Sequence, residues 1–454
     1  MVQQIDLLVL GGGPAGYSAA IRASQLGKTV VVAEKDSIGG TCLNRGCIPT
    51  KALLESAQFY RGLANASKHG VALDVSNVDY ERVVDNKDET VRRLVNGLQF
   101  LLDKREIKIV KGEARFNSEN EIQIGEEVFR PNNIVVATGT APTVIPGLEP
   151  DGKLVLNSDQ LLDQKTLPKS LFIVGGGVIG CEFATIFASY GVKVTIVELM
   201  PQILPPEDRE ISQVLTREFK KRKIKVLTGA AVKSLIRGDD KVTVEVHQDS
   251  KVTELETDRV LISVGRQATL PDGFSGELDS RGYIKVNNSF QTSIPHIYAV
   301  GDIIGGMQLA HLAFEEGWTA VNNIYGEKAR HKWFVPSCVY TDPEIGSVGL
   351  TEEQAREKYG EVHISKYSLK GNGKAVIVGS DSGFCKLVAS DDGIVRGVHI
   401  IGPQATELIS GATVALEQNL TLEKWAEIIY PHPTVSEAIK ETILSGLGTG
   451  LHSL

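Results

Sequence analysis

Two copies of one pattern constrain this chain more than any other feature. An apolar run from Ile5 to Leu10 enters Gly11-Gly12-Gly13-Pro14-Ala15-Gly16, then an Ala-rich helical stretch to Leu26, then the β-branched run Thr29 to Val32 with Glu34 just beyond. The same grammar returns at Leu171 to Val174, Gly175-Gly176-Gly177-Val178-Ile179-Gly180, a helical stretch to Tyr190, and Val192 to Val197 ending in Glu198. Both read as strand, turn, helix, strand. From first glycine to acid is 23 residues in each copy. A lone G-x-G-x-x-G is a weak signal, because Gly-rich turns are common. Two copies, each between a strand and a helix and each with an acid about 20 residues on, point strongly to two dinucleotide sites. The first glycine (Gly11, Gly175) permits the tight turn, and the second (Gly13, Gly177) lets backbone N–H groups meet a pyrophosphate. The third (Gly16, Gly180) lets helix pack on strand, and the helix N-terminus adds partial positive charge. Each acid can hold the hydroxyls of an adenosine ribose. Glu198 is followed by Leu199 and Met200, with no Arg before Arg209 to take a 2′-phosphate, so the second site is expected to prefer NAD to NADP.

The remaining sequence fits around these units. The length of 454 residues suits two to four domains. With 42% hydrophobic and 23% charged residues, wholesale disorder is excluded. The net charge is -8, and the only basic concentration, Lys220-Lys221-Arg222-Lys223, reads as a solvated helix face, so no nucleic-acid partner is expected. No apolar run approaches the ~18 residues of a membrane span, and Ile5 to Leu10 follows the N-terminus without a basic lead. The expectation is a cytoplasmic protein with no membrane partner. Five cysteines argue against a structural disulfide framework and draw attention to any close pair.

Further strands close both units: Asn133 to Thr138 ending in Ala137-Thr138-Gly139, and Val260 to Val264 ending in Gly265-Arg266. Each brings backbone to the sheet end where doubly wound folds bind ligands. The strand-like Ile297 to Val300 ends in Gly301-Asp302, where Asp302 is either a partner for a ribose or ribityl hydroxyl or simply a turn residue. Asn86 to Arg105 reads as a long, charged, structural helix. From about Phe334 the grammar stops. Apolar stretches at Cys338 to Leu350, Phe384 to Ala389 and Ile394 to Ile401 alternate with helical ones at Thr351 to Tyr359, Thr406 to Glu417 and from Thr434. The expected fold is α/β, with two Rossmann-like units followed by an α+β domain. The expected boundaries are 1–146, 147–268, 269–334 and 335–454.

Cys42 and Cys47 stand in Gly39-Gly40-Thr41-Cys42-Leu43-Asn44-Arg45-Gly46-Cys47-Ile48-Pro49-Thr50-Lys51, directly after the first ribose acid. A zinc site would need two more ligands, but the nearest other Cys is Cys181 and the nearest His is His69, so no metal is expected. Two inert thiols or a redox disulfide remain. The disulfide is favoured because Pro49, in a first helical turn, places Cys47 at a helix N-terminus, where the dipole stabilises a thiolate. Lys51 adds positive charge there or is a solvated surface lysine. Cys181, Cys338 and Cys385 read as buried, inert thiols. A thiol attack near neutral pH needs a base, and His432 in Pro431-His432-Pro433-Thr434-Val435-Ser436-Glu437 is the best candidate, although a loop His is usually inert. Thr434 to Glu437 also fits the capping box S/T-x-x-E.

The Cys42 to Lys51 core resembles the active-site signature of the FAD-dependent pyridine nucleotide–disulfide oxidoreductases. Together with Leu309 to Gly317 and Val398 to Pro403, it is most similar to the dihydrolipoamide dehydrogenases of that family, through essentially the whole chain. The resemblance implies a glutathione-reductase-like fold with FAD, NAD, central and interface domains. It implies FAD held by the first glycine motif, Glu34, Gly40, Thr41, Lys51, Ala114, Thr138, Gly139, Asp302 and Ala310. NAD would be held by the second motif with Glu182, Glu198, Val232 and Gly265. Glu182, otherwise an ordinary acid early in a helix, would pair with Lys51. Cys42 would be the interchange thiol and Cys47 the thiolate against the flavin, with His432 the base, supplied by the other subunit of a homodimer and oriented by Glu437. The implied reaction oxidises dihydrolipoamide on the lipoyl-bearing acyltransferase or carrier of a 2-oxo acid dehydrogenase-type complex. Two departures bear on the disulfide substrate: Tyr430-Pro431 replaces the usual His-Ala, and Arg45 replaces a small apolar residue. Another disulfide reductase is the nearest alternative, but glutathione-type arginines are missing after Glu198, and the end, Leu451 to Leu454, has no mercuric-reductase cysteine pair. A non-catalytic flavoprotein sensor or scaffold would not need the set Cys42, Cys47 and His432.

Overall fold

The computed structural model describes residues 2–63, 65–74, 77–326 and 333–452, so Ser453 and Leu454 of the contrasted C-terminal end lie outside the described residues. The first pattern folds as the strand Val2–Leu10, the helix Pro14–Gln25 and the strand Val30–Glu34. Leu7 to Leu10 are fully buried, as a continuous apolar run in a doubly covered parallel sheet must be. That strand is central. Lys108–Lys111 and Val30–Glu34 lie on one side of it, and Glu127–Val136 on the other, all parallel. The start of Glu127–Val136 also forms an antiparallel meander with Glu121–Ile124 and Ala114–Ser118. Ile297–Ala299, far along the chain, pairs parallel with the end of Glu127–Val136. This crossover carries Asp302 back to the first glycine motif.

The second pattern repeats the construction with Ser170–Val174, the helix Val178–Ser189 and Lys193–Glu198. Its five-stranded parallel sheet runs Lys225–Thr228, Lys193–Glu198, Ser170–Val174, Arg259–Ile262, Val155–Leu156. Alternation decides its two faces. Leu171 and Ile173 pack with Phe183, Phe187, Leu215 and Phe219 of the helices. Phe172 and Val174 pack with Val242, Val244 and Val246 of an antiparallel layer formed by Ala230–Arg237, Val242–Gln248 and Lys251–Thr257.

The C-terminal part is an antiparallel sheet in the order Ser337–Val339, Glu344–Gly349, Val395–Gly402, Phe384–Ser390, Val362–Ser368, with helices Ala405–Glu417 and Glu437–Gly446 against it. Three expectations change here. The stretch Cys338 to Leu350 is two strands joined by a turn, not one run. Val362–Ser368 is a strand whose polar outer residues masked its alternation. The last helix starts at Glu437, leaving Thr434 in a loop. The long charged helix on which Asn86 lies runs over Tyr80–Lys104, with Arg105 as its C-cap. The basic run is solvated at Lys220, Lys221 and Lys223, whereas Arg222 caps the helix Arg209–Lys221 and pairs with Asp342 at 2.6 Å. Among the described residues, no helix is long and apolar enough to cross a membrane.

Candidate active site

Both glycine turns are built alike. Gly11 and Gly175 have φ of 103° and 104°, and a Cβ on either would collide with the carbonyl oxygen of Ala137 or Ser263, so only glycine serves. Gly13 and Gly177 are N-caps without side-chain caps, ahead of helices onto which Gly16 and Gly180 fold closely. The backbone donors of those first turns are therefore left for a ligand. A Cβ on Gly177 would meet nothing within 4 Å, which marks an open cradle. Glu34 accepts from the N–H groups of Gly12 at 2.7 Å and Asp36 at 2.8 Å. Glu198 accepts from those of Gly176 at 2.6 Å and Met200 at 2.8 Å.

The end of the first sheet holds polar groups in want of partners. Thr138 Oγ1 is buried with no hydrogen bond. The buried Asp302 accepts from Thr140 Oγ1 at 3.1 Å, and burial raises its pKa. Glu316 accepts from the Gly301 N–H at 2.7 Å and is pushed up to about 7 by burial, with the Asp302 charge adding to the rise. Gly139, with φ 67°, has open space beside it, and Ala310 opens a helix whose cap, Leu309, makes no side-chain bond. Buried polar atoms are costly when unpaired, so this edge fits a polar ligand such as a flavin dinucleotide. Ala114 starts its strand further along the same sheet and is buried. On the second unit, Gly265 has φ 113° and its carbonyl accepts from the Thr143 N–H at 3.0 Å, while Val232 lies at a register shift in Ala230–Arg237.

The cysteines sit on two short-spaced helices, Gly40–Arg45 and Cys47–Leu63. The second begins at Cys47 itself, with Pro49 in its first turn. Gly40 lies so close to Gly13 that a Cβ would strike its Cα, which ties the redox helix, with Thr41, to the first glycine turn. Asn44 Nδ2 donates to the carbonyls of Gly40 at 2.9 Å and Ile38 at 3.1 Å and fixes the loop between them. Arg45 pairs with Asp36 at the surface. Each cysteine is a thiol here. The hydrogen bond from Cys42 lowers Cys47 to about 7 against the burial that would raise it, with Lys51 helping and Glu182 opposing. The same bond, then burial, raises Cys42 far above an ordinary thiol.

Lys51 is not a solvated surface lysine. Its Nζ lies 2.9 and 2.8 Å from the two oxygens of Glu182, which is 3% exposed on the helix Val178–Ser189. The ring of Tyr340 lies 4.7 Å from the same Nζ. Tyr340 had no signal in the sequence, because what singles it out is a contact across three parts of the chain. Cys181 and Cys385 are buried, but Cys338 is only half-buried, with its thiol pushed up to about 11 by burial first.

The structure does not bring His432 to the cysteines of its own chain. Its side chain is 79% exposed, and Nδ1 donates to Glu437 Oε1 at 2.9 Å, leaving Nε2 unoccupied by protein. Glu437 Oε2 accepts from the Thr434 N–H at 2.8 Å, which is half of a capping box; the Thr434 hydroxyl donates instead to the Pro431 carbonyl at 2.7 Å. Tyr430 packs on the C-terminal core. Among the described residues no cluster of three or more His, Cys, Asp or Glu could hold a metal.

Residues 5–317 match the family model for pyridine nucleotide-disulphide oxidoreductases, and residues 335–443 match the dimerisation domain of the same family, which supports a homodimer. A dihydrolipoyl dehydrogenase of Bacillus subtilis (strain 168) is 40% identical across all of both chains. One from Zymomonas mobilis is 38% identical, again over the full length of both. Among solved structures, LpdA of Mycobacterium tuberculosis superposes with a TM-score of 0.90 at 26% identity, covering 97% of this chain and 99% of its own. The HOCl-induced flavoprotein disulfide reductase RclA of Escherichia coli gives 0.86 at 27% identity, covering 96% of this chain and 99% of its own.

Proposed function

The chain belongs to the pyridine nucleotide-disulphide oxidoreductase family, and from that premise we propose that it is a dihydrolipoyl dehydrogenase that oxidises protein-bound dihydrolipoamide. The carrying observation is the placing of the two thiols: Cys42 and Cys47 sit on adjacent helices, Cys47 at the N-terminus of the one that carries Lys51, whose ammonium pairs with Glu182 at 2.8 Å. One substrate thiolate attacks Cys42 in the Cys42–Cys47 disulfide, and Cys47 leaves as a thiolate at the helix N-terminus. The second substrate sulfur attacks the mixed disulfide, closes lipoamide, and releases Cys42 as a thiolate, which takes up one of the two substrate protons by way of His432. His432, donating through Nδ1 to Glu437, takes the substrate protons at Nε2. A bound FAD would supply the two-electron chemistry that links the dithiol to hydride transfer to NAD.

The first glycine motif, Glu34, Thr138, Gly139, Asp302 and Ala310 hold FAD in this reading, with Gly40, Thr41, Lys51 and Ala114. The second motif with Glu182, Glu198, Val232 and Gly265 holds NAD. The functional divisions are 1–146 for FAD and the cysteines, 147–268 for NAD, 269–334 completing the FAD site, and 335–454 for dimer formation. The exposure of His432, away from its own cysteines, supports its delivery to the other subunit. The lipoyl group would belong to an acyltransferase or carrier of a 2-oxo acid dehydrogenase-type complex, and the small number of cysteines, five in all, suits a reducing cytoplasm. The test is NADH formation from dihydrolipoamide and NAD by the purified chain. Turnover supports the proposal, and none with a flavin-loaded dimer overturns it.

A further inference from the structure

Tyr340 touches both members of the Lys51–Glu182 pair. Its ring faces the Lys51 ammonium at 4.7 Å, and its backbone N–H donates to Glu182 Oε1 at 3.1 Å. It opens the turn between Ser337–Val339 and Glu344–Gly349. Two residues on, Asp342 pins that turn by pairing with Arg222 at 2.6 Å and with Arg61, which shares a helix with Lys51. The turn is thus anchored to the helix that carries Cys47 and Lys51 and to the unit that carries Glu182.

We infer that Tyr340 is a positioning residue, whose ring holds the Lys51 ammonium between Glu182 and the Cys47 sulfur. The inference rests on reading Cys47 as the thiolate of the redox pair. Lysine is a flexible stem with a strongly hydrated head. The Lys51 side chain is 31% exposed while Glu182 is 3% exposed, so water can draw the ammonium out of the pair. An aromatic face closes that side with its negative quadrupole. The ring is the active part, since the hydroxyl makes no hydrogen bond among the described residues. If Lys51 swings outward, the Glu182 charge is left to act on Cys47 alone, in the direction opposite to Lys51.

The test uses flavin-loaded enzyme reduced by a dithiol, with iodoacetamide alkylation of Cys47 followed against pH by peptide mass analysis. Tyr340→Leu should raise the alkylation midpoint by about one pH unit, Lys51→Met at least as far, and Tyr340→Phe should keep the wild-type midpoint. If Tyr340→Leu does not retain flavin, Tyr340→Met is measured in its place against the same expectation. No shift with Lys51→Met would overturn the placing of Lys51 beside the thiolate, and with it the reading beneath. A shift with Lys51→Met but none with Tyr340→Leu overturns the positioning role alone. A Tyr340→Phe shift as large as that of Tyr340→Leu overturns the assignment to the ring.

Discussion

The two glycine units agree bond for bond up to the acid and then part. In each, the acid receives the N–H of the middle glycine and that of the residue two places on. In each, the middle glycine's carbonyl accepts from the returning chain at 2.8 Å, from Gly39 in the first copy and Leu204 in the second. Beyond that closure the first copy launches the redox helices. The second runs to the buried Glu207 and Asp208, which are bound by the C-terminal sheet: Glu207 receives the hydroxyls of Ser337 and Ser347, and Asp208 receives Lys386 at 3.0 Å. The shared part makes a cradle, and the segment leaving it decides whether the copy does chemistry or anchors a domain.

That division predicts separable activities. Oxidation of dihydrolipoamide uses the first copy's thiols, whereas NADH passing electrons to an artificial acceptor bypasses them. His432→Gln should therefore cut dihydrolipoamide oxidation by roughly 100- to 10,000-fold, the usual cost of a lost general base, and spare the acceptor reaction. Equal slowing of both would remove His432 from the thiol step.

The anchoring role of the second copy is tested through stability. Lys386 is 2% exposed and pairs with Asp208, Glu210 and Glu352 at 3.0, 2.9 and 2.8 Å. Lys386→Met strands the buried Asp208 carboxylate and should cost about 3–5 kcal/mol, read by denaturant unfolding. The counterpart after the first acid is the surface pair Arg45–Asp36, with side chains 40% and 51% exposed. Arg45→Met there should cost no more than about 1 kcal/mol. Similar losses at both would erase the contrast between the copies.

Cofactor choice sharpens the comparison from the other side. Past Glu198, Leu199 and Met200 are exposed and no Arg precedes Arg209, so nothing compensates a 2′-phosphate placed against the Glu198 carboxylate. NAD should exceed NADP in kcat/KM by on the order of 100-fold or more. Equal efficiencies would show that Glu198 does not read the ribose.

Legibility in the sequence divides along the same line. The glycine turns, both acids, the cysteine pair and the parallel sheets were legible because local geometry restricts which residues can stand there: Gly11 and Gly175 admit no Cβ, and Leu7 to Leu10 must be covered on both faces. The contacts of Tyr340 with Lys51, of Asp342 with Arg222, and of Lys386 with Asp208 join residues more than a hundred positions apart and leave no periodic trace. Lys386 sits in the fully buried strand Phe384–Ser390, where a cation makes sense only once its carboxylates are known. The strand Val362–Ser368 escapes a sequence reading because its outward residues include His363, Lys366 and Ser368 and its inward ones include Ser365. The resemblance named His432 as the base, but the loop gives no local reason for a histidine to be reactive.

Glu437 carries the smallest expected effect and the finest distinction. One carboxylate serves two partners, Oε2 receiving the Thr434 N–H and Oε1 receiving His432 Nδ1. Burial would raise its pKa, but the Thr434 N–H and His432 more than offset this and hold it below the ordinary value of 4.5. With a folded-state pKa depressed in this way, its contribution is present above the unfolded value and is lost only as pH falls through the folded one. A loss of thiol activity above that region therefore does not belong to Glu437. In Glu437→Gln the amide oxygen can still receive the Thr434 N–H, so the helix start should persist and the midpoint of thermal unfolding should hardly move. The amide nitrogen cannot accept from Nδ1, so the ring loses the partner that fixes its tautomer and raises its basicity. Dihydrolipoamide oxidation should then slow about tenfold while the NADH–acceptor reaction stays unchanged. Full dihydrolipoamide turnover in Glu437→Gln would reduce the acid to a helix-start residue, and an equal fall in stability and both activities would mean that the loop had collapsed and not that the imidazole had lost its partner.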